Sequence, residues 1–448
     1  DTALRISVEF TDETVSICLM EQGEEKESGA SVINYAERKE TKNRLKRQLY
    51  QLLCTYTGQT LPWGTLTGIR PAKIAMGLIE QGMSNVETAE YMRNTYLASK
   101  EKVALSVMIA NRERYVLRNI DYKDGYSLYV GIPFCPSICL YCSFSSYPLE
   151  RWRKQVDQYL DALCKELDYV ADRFRDKKLN TVYIGGGTPT TLEPYQLDRL
   201  LTRIQRKFDT EYLQEFTVEA GRPDSITREK LQVLLDHGVD RISVNPQSLE
   251  DHVLTAIGRR HTARDVEEAM ALATGMGFPH VNMDLIAGLP EDTPEGFRRT
   301  LDKCLSYGAD NITVHTLSLK KGSRILLENF TIPSAEAVGE MLDYANAALR
   351  QADFHPYYLY RQKYMSGSFE NTGWCISGAE GLYNIYIMEE LHSILSLGAG
   401  GSTKMVDPVH QRIERVFHTK YPTEYIQRSE KLEENLSAFR QFHENMRG

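Results

Sequence analysis

Three cysteines fall within eight residues, at Cys135, Cys139 and Cys142, in the segment Pro133-Phe134-Cys135-Pro136-Ser137-Ile138-Cys139-Leu140-Tyr141-Cys142. The other five of the chain's eight cysteines, Cys18, Cys54, Cys164, Cys304 and Cys375, are scattered singly, where a buried structural thiol is the ordinary reading. Eight cysteines in 448 residues make no disulfide scaffold. Thiolates are soft ligands that suit zinc and iron–sulfur clusters. A structural zinc needs four closed ligands, yet no histidine precedes His237 and the nearest further cysteine, Cys164, falls inside a helical stripe. Three thiolates on a cubane of four irons leave one iron open, and an open iron binds a substrate or cofactor. The C-x3-C-x2-C spacing therefore reads as a site-differentiated [4Fe–4S] cluster. A zinc completed from a distance and chance clustering are the alternatives at this stage.

A second candidate is Tyr183-Ile184-Gly185-Gly186-Gly187-Thr188-Pro189-Thr190. It lacks the Gly-Lys-Ser/Thr ending of a phosphate loop, so on its own it is a tight turn whose bare backbone a ligand can approach closely. Three further segments, Val218-Glu219-Ala220, Asn245-Pro246-Gln247 with Arg259 beyond it, and Val281-Asn282-Met283-Asp284, each carry a polar group at the end of an apolar run. Singly, such residues are ordinarily caps or loop hydrogen-bonders. Together they would ring one mouth with hydrogen-bonding groups, as a hydroxyl-rich ligand requires.

The elements that must position these residues alternate. Short apolar strands are predicted at 126–132, 180–184, 214–219, 240–244, 280–286 and 310–316. Helical stretches are expected near 151–175, 194–208, 227–236, 250–274 and 295–307. In the first of these Val156, Leu160, Leu163, Leu167, Val170 and Phe174 recur every three or four residues as one apolar stripe. Strand–helix alternation implies a parallel sheet with right-handed crossovers, here a partial (β/α)6 barrel in an α/β chain, with ligands at the carboxyl ends of its strands. Residues 1–122 read as an N-terminal α+β accessory domain, with a hairpin at 4–19 and helices near 35–55, 71–82, 86–97 and 99–118. The barrel is assigned to 123–330, and 331–448 to a mixed, mostly helical region covering the substrate, with an aromatic-rich interruption at 356–386.

Composition narrows the function classes. Hydrophobic residues are 42% and charged residues 25%, as in a folded soluble chain rather than a disordered one. The net charge of −8 argues against a broad nucleic-acid surface, and no apolar run reaches the roughly 18–20 residues of a membrane span. The chain begins at Asp1 rather than Met, which leaves its native start open.

The three-cysteine loop after the first strand of a partial barrel resembles the radical S-adenosylmethionine (SAM) enzymes. In order along the chain, Gly-Gly-Gly-Thr-Pro-Thr, Val-Glu-Ala, Pro-Gln-Ser and Asp-Leu-Ile-Ala-Gly-Leu-Pro resemble the oxygen-independent coproporphyrinogen III oxidases and their heme-chaperone relatives. The segments 61–71 (Leu-Pro-Trp-Gly-Thr-Leu-Thr-Gly-Ile-Arg-Pro) and 356–364 (Pro-Tyr-Tyr-Leu-Tyr-Arg-Gln-Lys-Tyr) are similar to the HemZ, or coproporphyrinogen dehydrogenase, branch and extend the likeness over nearly the whole chain. Three features depart from the oxidase pattern: Ser143-Phe144 follows the third cysteine where a further cysteine is usual, an unrelated N-terminal domain stands in place of the oxidase's N-terminal arm, and Asn245-Pro246 precedes Gln247.

The resemblance implies that Cys135, Cys139 and Cys142 hold a [4Fe–4S] cluster that cleaves SAM to a hydrogen-abstracting 5′-deoxyadenosyl radical. It implies that Tyr129, Gly186 and Glu219 contact the cluster-bound SAM. Tyr141, Gly187, Thr188, Gln247, Arg259 and Asp284 match positions holding a second SAM, and Leu317 a backbone contact. The implied reaction takes a β-hydrogen from a propionate, loses carbon dioxide and an electron, and leaves a vinyl group, turning coproporphyrinogen III into protoporphyrinogen IX. A low-potential donor such as flavodoxin or ferredoxin and a cytoplasmic setting go with it. Carboxylate partners for such a substrate would come from Arg222, Arg259, Arg260, Arg361 or Lys363, with solvated surface charge the bland alternative. Tyr357, Tyr358, Tyr360 and Tyr364 could face a flat macrocycle. The rival readings are a heme-binding or heme-transfer protein that keeps the cluster, for which His237, His261, His280 and His315 offer undistinguished axial ligands, and a radical SAM enzyme acting on another tetrapyrrole or an unrelated substrate.

Overall fold

A computed structural model of the chain describes residues 4–118, 120–122, 124–319, 324–327, 330–407 and 412–427, together with 434, 437, 438, 441 and 442. The expected start of the barrel unit at residue 123, and the end of the C-terminal region at 443–448, lie outside the described residues.

Six parallel strands form the centre: Gly125–Ile132, Lys178–Gly186, Glu215–Glu219, Arg241–Ser243, His280–Ala287 and Asn311–Thr316, each beside its predecessor. They are called the first to sixth barrel strands below. Val182 and Ile184 on the second strand, and Val218 on the third, are fully buried on the side facing the crossover helices. The 156–173 stripe is buried as its spacing requires, from Val156 through Phe174, each large aliphatic contributing about 1.5–3 kcal/mol by leaving water. Proline at the first helical turn starts the crossover helices Pro194–Lys207 and Pro294–Ser306.

The sheet is wider than six strands, and here the structure corrects the sequence pattern. Residues 331–427 are less helical than expected, because five strands there join the barrel sheet. His355–Tyr360 and Asn371–Cys375 extend it antiparallel beyond the sixth strand, while Ser393–Leu397 lies parallel beside the first strand and carries Ser402–Asp407 and Arg412–Phe417 beyond it. Eleven strands thus make one open sheet whose two outer strands do not pair with each other among the described residues.

Two other expectations change. The hairpin at 4–19 gains a third strand, Glu24–Val32, antiparallel to Thr14–Glu21, so a three-stranded sheet packs on the Arg38–Thr57 helix around Ile17, Leu19 and Leu52. The single helix expected over 250–274 is two, Asp251–Ala256 and Ala263–Gly275. Gly258 takes a left-handed φ of +77° at the break, and a Thr262–Asp265 capping box restarts the helix. The helices Pro71–Glu80, Asn85–Tyr96 and Lys100–Leu117 share one hydrophobic core with the barrel, through Trp63, Met76, Met92, Val103 and Ile109.

Candidate active site

The cysteine loop leaves the carboxyl end of the first barrel strand. Tyr147 N donates to Pro133 O (2.8 Å), and Cys135 pairs with Pro148 in a two-residue ladder, so the loop returns alongside its own start. Leu140 is the loop's anchor. It is buried in a small core with Val253, Leu254, Ile257 and Leu289, and its N–H bonds Ile257 O at 3.0 Å. The helix break after Ala256 therefore does two jobs: it frees the Ile257 carbonyl for the loop, and it turns Arg259 inward.

The three thiols are half-buried and free of disulfides, and they line one cavity of about 470 Å³ at the strand ends. The residues that the resemblance placed at the cluster or SAM all line that same cavity: Tyr129, Tyr141, Gly186, Gly187, Thr188, Glu219, Gln247, Arg259, Asp284 and Leu317, with the cysteines. Arg222 joins them. Arg260, Arg361 and Lys363 do not line it, nor do Tyr357 and Tyr364, while Tyr358 and Tyr360 do. Of the four histidines considered, His315 lines the cavity; His237 pairs instead with Asp198 (2.9 Å) and His280 with Asp310 (2.5 Å).

The glycine triplet lies against the loop. Gly187 N donates to Ile132 O (2.8 Å) and Thr188 N to Phe134 O (2.7 Å). A Cβ on Gly187 would sit 2.6 Å from Phe134 O, so no larger residue fits there without moving the backbone that carries Cys135. Gly186 has a φ of +111° and its N–H points at Glu219 Oε2, 3.3 Å away. Glu219 also accepts from the Tyr183 hydroxyl at 2.6 Å. Burial pushes the Glu219 carboxyl up to about 7, aided by the charge of Asp284 and opposed by the Tyr183 and Gly186 hydrogen bonds.

Arg259 and Arg222 supply positive charge beside the thiols. Arg259 donates to Asn245 O (2.5 Å) and to the Tyr141 hydroxyl (3.1 Å); Arg222 grips Asp224 (2.7 Å) and reaches Ser137 Oγ (3.1 Å) and Cys139 Sγ (3.8 Å). Burial raises the Cys139 thiol, but the two guanidiniums outweigh it and its pKa falls below the ordinary value. Burial dominates at Cys135, which is pushed up to about 11. Desolvation pushes the half-buried Asp284 up, yet the neighbouring His315 (3.6 Å) and the Asn282 amide (2.8 Å) hold it below the usual carboxylate range.

The sequence reading missed several residues of the cavity wall. Tyr183 stacks on Tyr129 (centroids 5.9 Å apart) and on Tyr383 (4.4 Å). Tyr183 is the register partner of Tyr129, so strand alternation from Tyr129 was the available signal. Tyr383 had none. It opens the Leu382–Glu389 helix, whose first N–H groups are capped across the sheet by Glu215 of the third strand (2.6 Å from Leu382 N).

The residues fit a cluster and a polar adenosyl ligand. The donor set is three accessible thiols from one loop. Facing them are side-chain atoms that are buried without a hydrogen-bond partner: Ser243 Oγ, Asn245 Oδ1, Gln247 Oε1 and Arg259 Nε. Orphaned polar atoms lining a cavity are costly unless something occupies it. Gln247 adds backbone strain, with a φ of +68°, held by N–H donation to Asp284 O and acceptance from Ile286 N, both at 3.0 Å.

A partial barrel with such a loop at its mouth is of the radical SAM class, and the model of the radical SAM superfamily matches residues 129–304. The oxygen-independent coproporphyrinogen-III oxidase-like protein HemZ of Bacillus subtilis is 38% identical over 398 residues, which are 88% of this chain and 79% of that protein. The heme chaperone HemW of the same organism is 31% identical over 324 residues, 69% of this chain and 82% of HemW. The structure of coproporphyrinogen III oxidase (HemN) from Escherichia coli superposes with a TM-score of 0.57 at 23% identity, over 71% of this chain and 72% of that one, a likeness of fold. The chain belongs to the radical SAM superfamily, within the oxygen-independent coproporphyrinogen-III oxidase-like family that includes HemZ. That membership implies a [4Fe–4S] cluster and SAM. Among the described residues no helix is long and apolar enough to cross a membrane.

Proposed function

We propose that this chain carries out the oxygen-independent oxidative decarboxylation of coproporphyrinogen III propionates to vinyl groups, giving protoporphyrinogen IX. The observation that carries the reading is the single cavity in which three thiols face a wall of unpartnered buried polar atoms; the HemZ likeness supplies the substrate class. Cys135, Cys139 and Cys142 would hold the cluster. When bound, the cluster and SAM supply an electron and a carbon-centred radical able to take a hydrogen atom.

The chain's own residues bind, orient and exclude water. Glu219 and the bare backbone of Gly186 would take an amino group, Glu219 giving up its proton to do so. Gln247, Arg259 and Asp284 offer donors and acceptors to ribose hydroxyls and a second carboxylate. Tyr358 and Tyr360, nearly parallel at 7° and 6.4 Å apart, present ring faces to a flat macrocycle, with Gln362, Asn371 and His315 beside them for its carboxylates. A low-potential one-electron donor completes the scheme.

A second reading, heme binding and transfer, is favoured by the 31% identity to HemW and by Ser143-Phe144 after the third cysteine. Anaerobic incubation of the reconstituted protein with reductant, SAM and coproporphyrinogen III separates the two. The decarboxylase predicts substrate-dependent 5′-deoxyadenosine and stepwise loss of two carboxyl groups. An unchanged porphyrin together with tight heme binding would replace it with the carrier.

A further inference from the structure

The 61–71 segment lies outside the cavity, yet it is tied to the cavity wall. Trp63 is fully buried and donates its indole N–H to Glu370 Oε2 at 2.8 Å. Lys102, also buried, reaches the other oxygen of the same carboxylate at 2.5 Å. Arg361 stacks over the Trp63 ring (5.4 Å); its guanidinium donates to Leu66 O (2.5 Å) and Ser368 O (3.1 Å), and its N–H to Ile69 O (2.8 Å). Arg361 and Glu370 bracket the hairpin that joins the strands 355–360 and 371–375. From that hairpin and its strands Tyr360, Gln362 and Asn371 line the cavity. The link continues inward: Glu370 O accepts from Thr316 Oγ1 and Asn371 Oδ1 from Thr316 N, each at 2.8 Å, and Thr316 is itself in the wall.

We infer that Trp63, Lys102 and Arg361 are positioning residues: Trp63 and Lys102 through Glu370, and Arg361 through Ser368 O and the 61–71 segment, hold the 360–371 wall in register for the substrate. The inference deepens the proposed function and rests on it for the identity of that substrate as a tetrapyrrole. The physical reason is that the connection 361–370 has no core of its own, and its few buried charges are settled by partners more than 250 residues away in sequence. A buried carboxylate shared by an ammonium and an indole N–H is held at both oxygens; losing the ammonium leaves a buried charge unpaired, and losing the indole leaves one buried oxygen without a donor. A loosened wall weakens the fit of the group it contacts, whereas the thiols, the glycine triplet and Glu219 on other strands are untouched.

The test uses full-length reconstituted protein and the variants Trp63→Phe, which removes the indole donor, and Arg361→Lys, which keeps the charge but loses the fork. Leu52→Ala, in the separate N-terminal core, controls for lost stability. Affinity for coproporphyrin III, followed by quenching of porphyrin fluorescence, is expected to fall about tenfold in both variants. Substrate-free cleavage of SAM and the iron content stay at the wild-type level, and the control changes neither. Unaltered porphyrin affinity would overturn the inference. So would an equal loss of SAM cleavage or of iron, which would mark a merely structural role. Because the porphyrin readout needs no turnover, a wild-type protein that binds porphyrin without decarboxylating it would sink the proposed reaction and leave the positioning role standing.

Discussion

The Tyr183 hydroxyl donates to Glu219 Oε1 at 2.6 Å, and this one contact joins the second and third barrel strands at the floor of the cavity. It ties an aromatic stack to the acid that lies beside the glycine triplet. Tyr183 cannot follow Glu219 into ionisation, since burial and the carboxylate charge push its own pKa far up. The pair therefore titrates as a carboxyl held by a neutral phenol.

The first prediction concerns that carboxyl. Its folded pKa of about 7 stands above the ordinary 4.5, so its contribution to stability is fully present below pH 4.5 and is lost as pH rises through 7. Glu219→Gln removes the dependence. Thermal melts from pH 5 to 8 without ligand should show the variant gaining on the wild type with rising pH, by up to about 3 kcal/mol. A difference that is flat with pH would contradict the shift. Adding SAM should flatten it too, because an amino group beside Glu219 stabilises the anion.

Gly187→Ala places a methyl 2.6 Å from Phe134 O. The neighbouring atoms are backbone and cannot step aside, so a cost of about 1–3 kcal/mol is expected. The displaced strand end carries Cys135, and the iron retained after anaerobic reconstitution should fall with it. Gly277→Ala, at a left-handed position on an open surface, should lose stability while leaving the iron content unchanged.

Gln247 holds a strained backbone and an orphaned side-chain oxygen. Gln247→Gly relieves both, and the ligand-free protein should gain about 0.5–1 kcal/mol in urea unfolding. Affinity for SAM should fall by about tenfold or more in equilibrium dialysis. Gain in stability with loss of binding is the signature of strain kept for function; a loss of both would assign Gln247 to the scaffold.

Replacing Cys135, Cys139 or Cys142 by Ala should abolish the visible charge-transfer absorbance and SAM cleavage together. Cys304→Ala should change neither, because that thiol is fully buried in the core away from the cavity.

The sequence by itself determined whatever is local. The three thiols lie in one loop, so their joint role needed no distant partner to be legible. The six barrel strands and the 156–173 stripe follow from runs and spacings of a few residues. Even Gln247 and Asp284 could be named, the one just beyond the fourth strand and the other an acid inside the apolar fifth, and the resemblance added Arg259; all three line the cavity. Arg259 was legible as a residue but not in its setting, since the helix break that turns it inward depends on the left-handed Gly258 and on the carbonyl of Ile257 given to Leu140.

Only the tertiary structure decided the rest. Ser393–Leu397 is a strand because it lies beside Gly125–Ile132, far back in the chain. Glu24–Val32 is too polar to announce itself and is recruited by Thr14–Glu21. Tyr383 reaches the cavity because Glu215 caps its helix from another strand. Arg361 looked like a free cation for a carboxylate and is instead spent on Leu66, Ile69 and Ser368. Pairing partners, caps and charge neutralisation over such separations are set by which surfaces meet when the chain closes. A backbone donor or a buried charge takes whatever partner packing brings to it, and no spacing rule in the sequence records which one that will be.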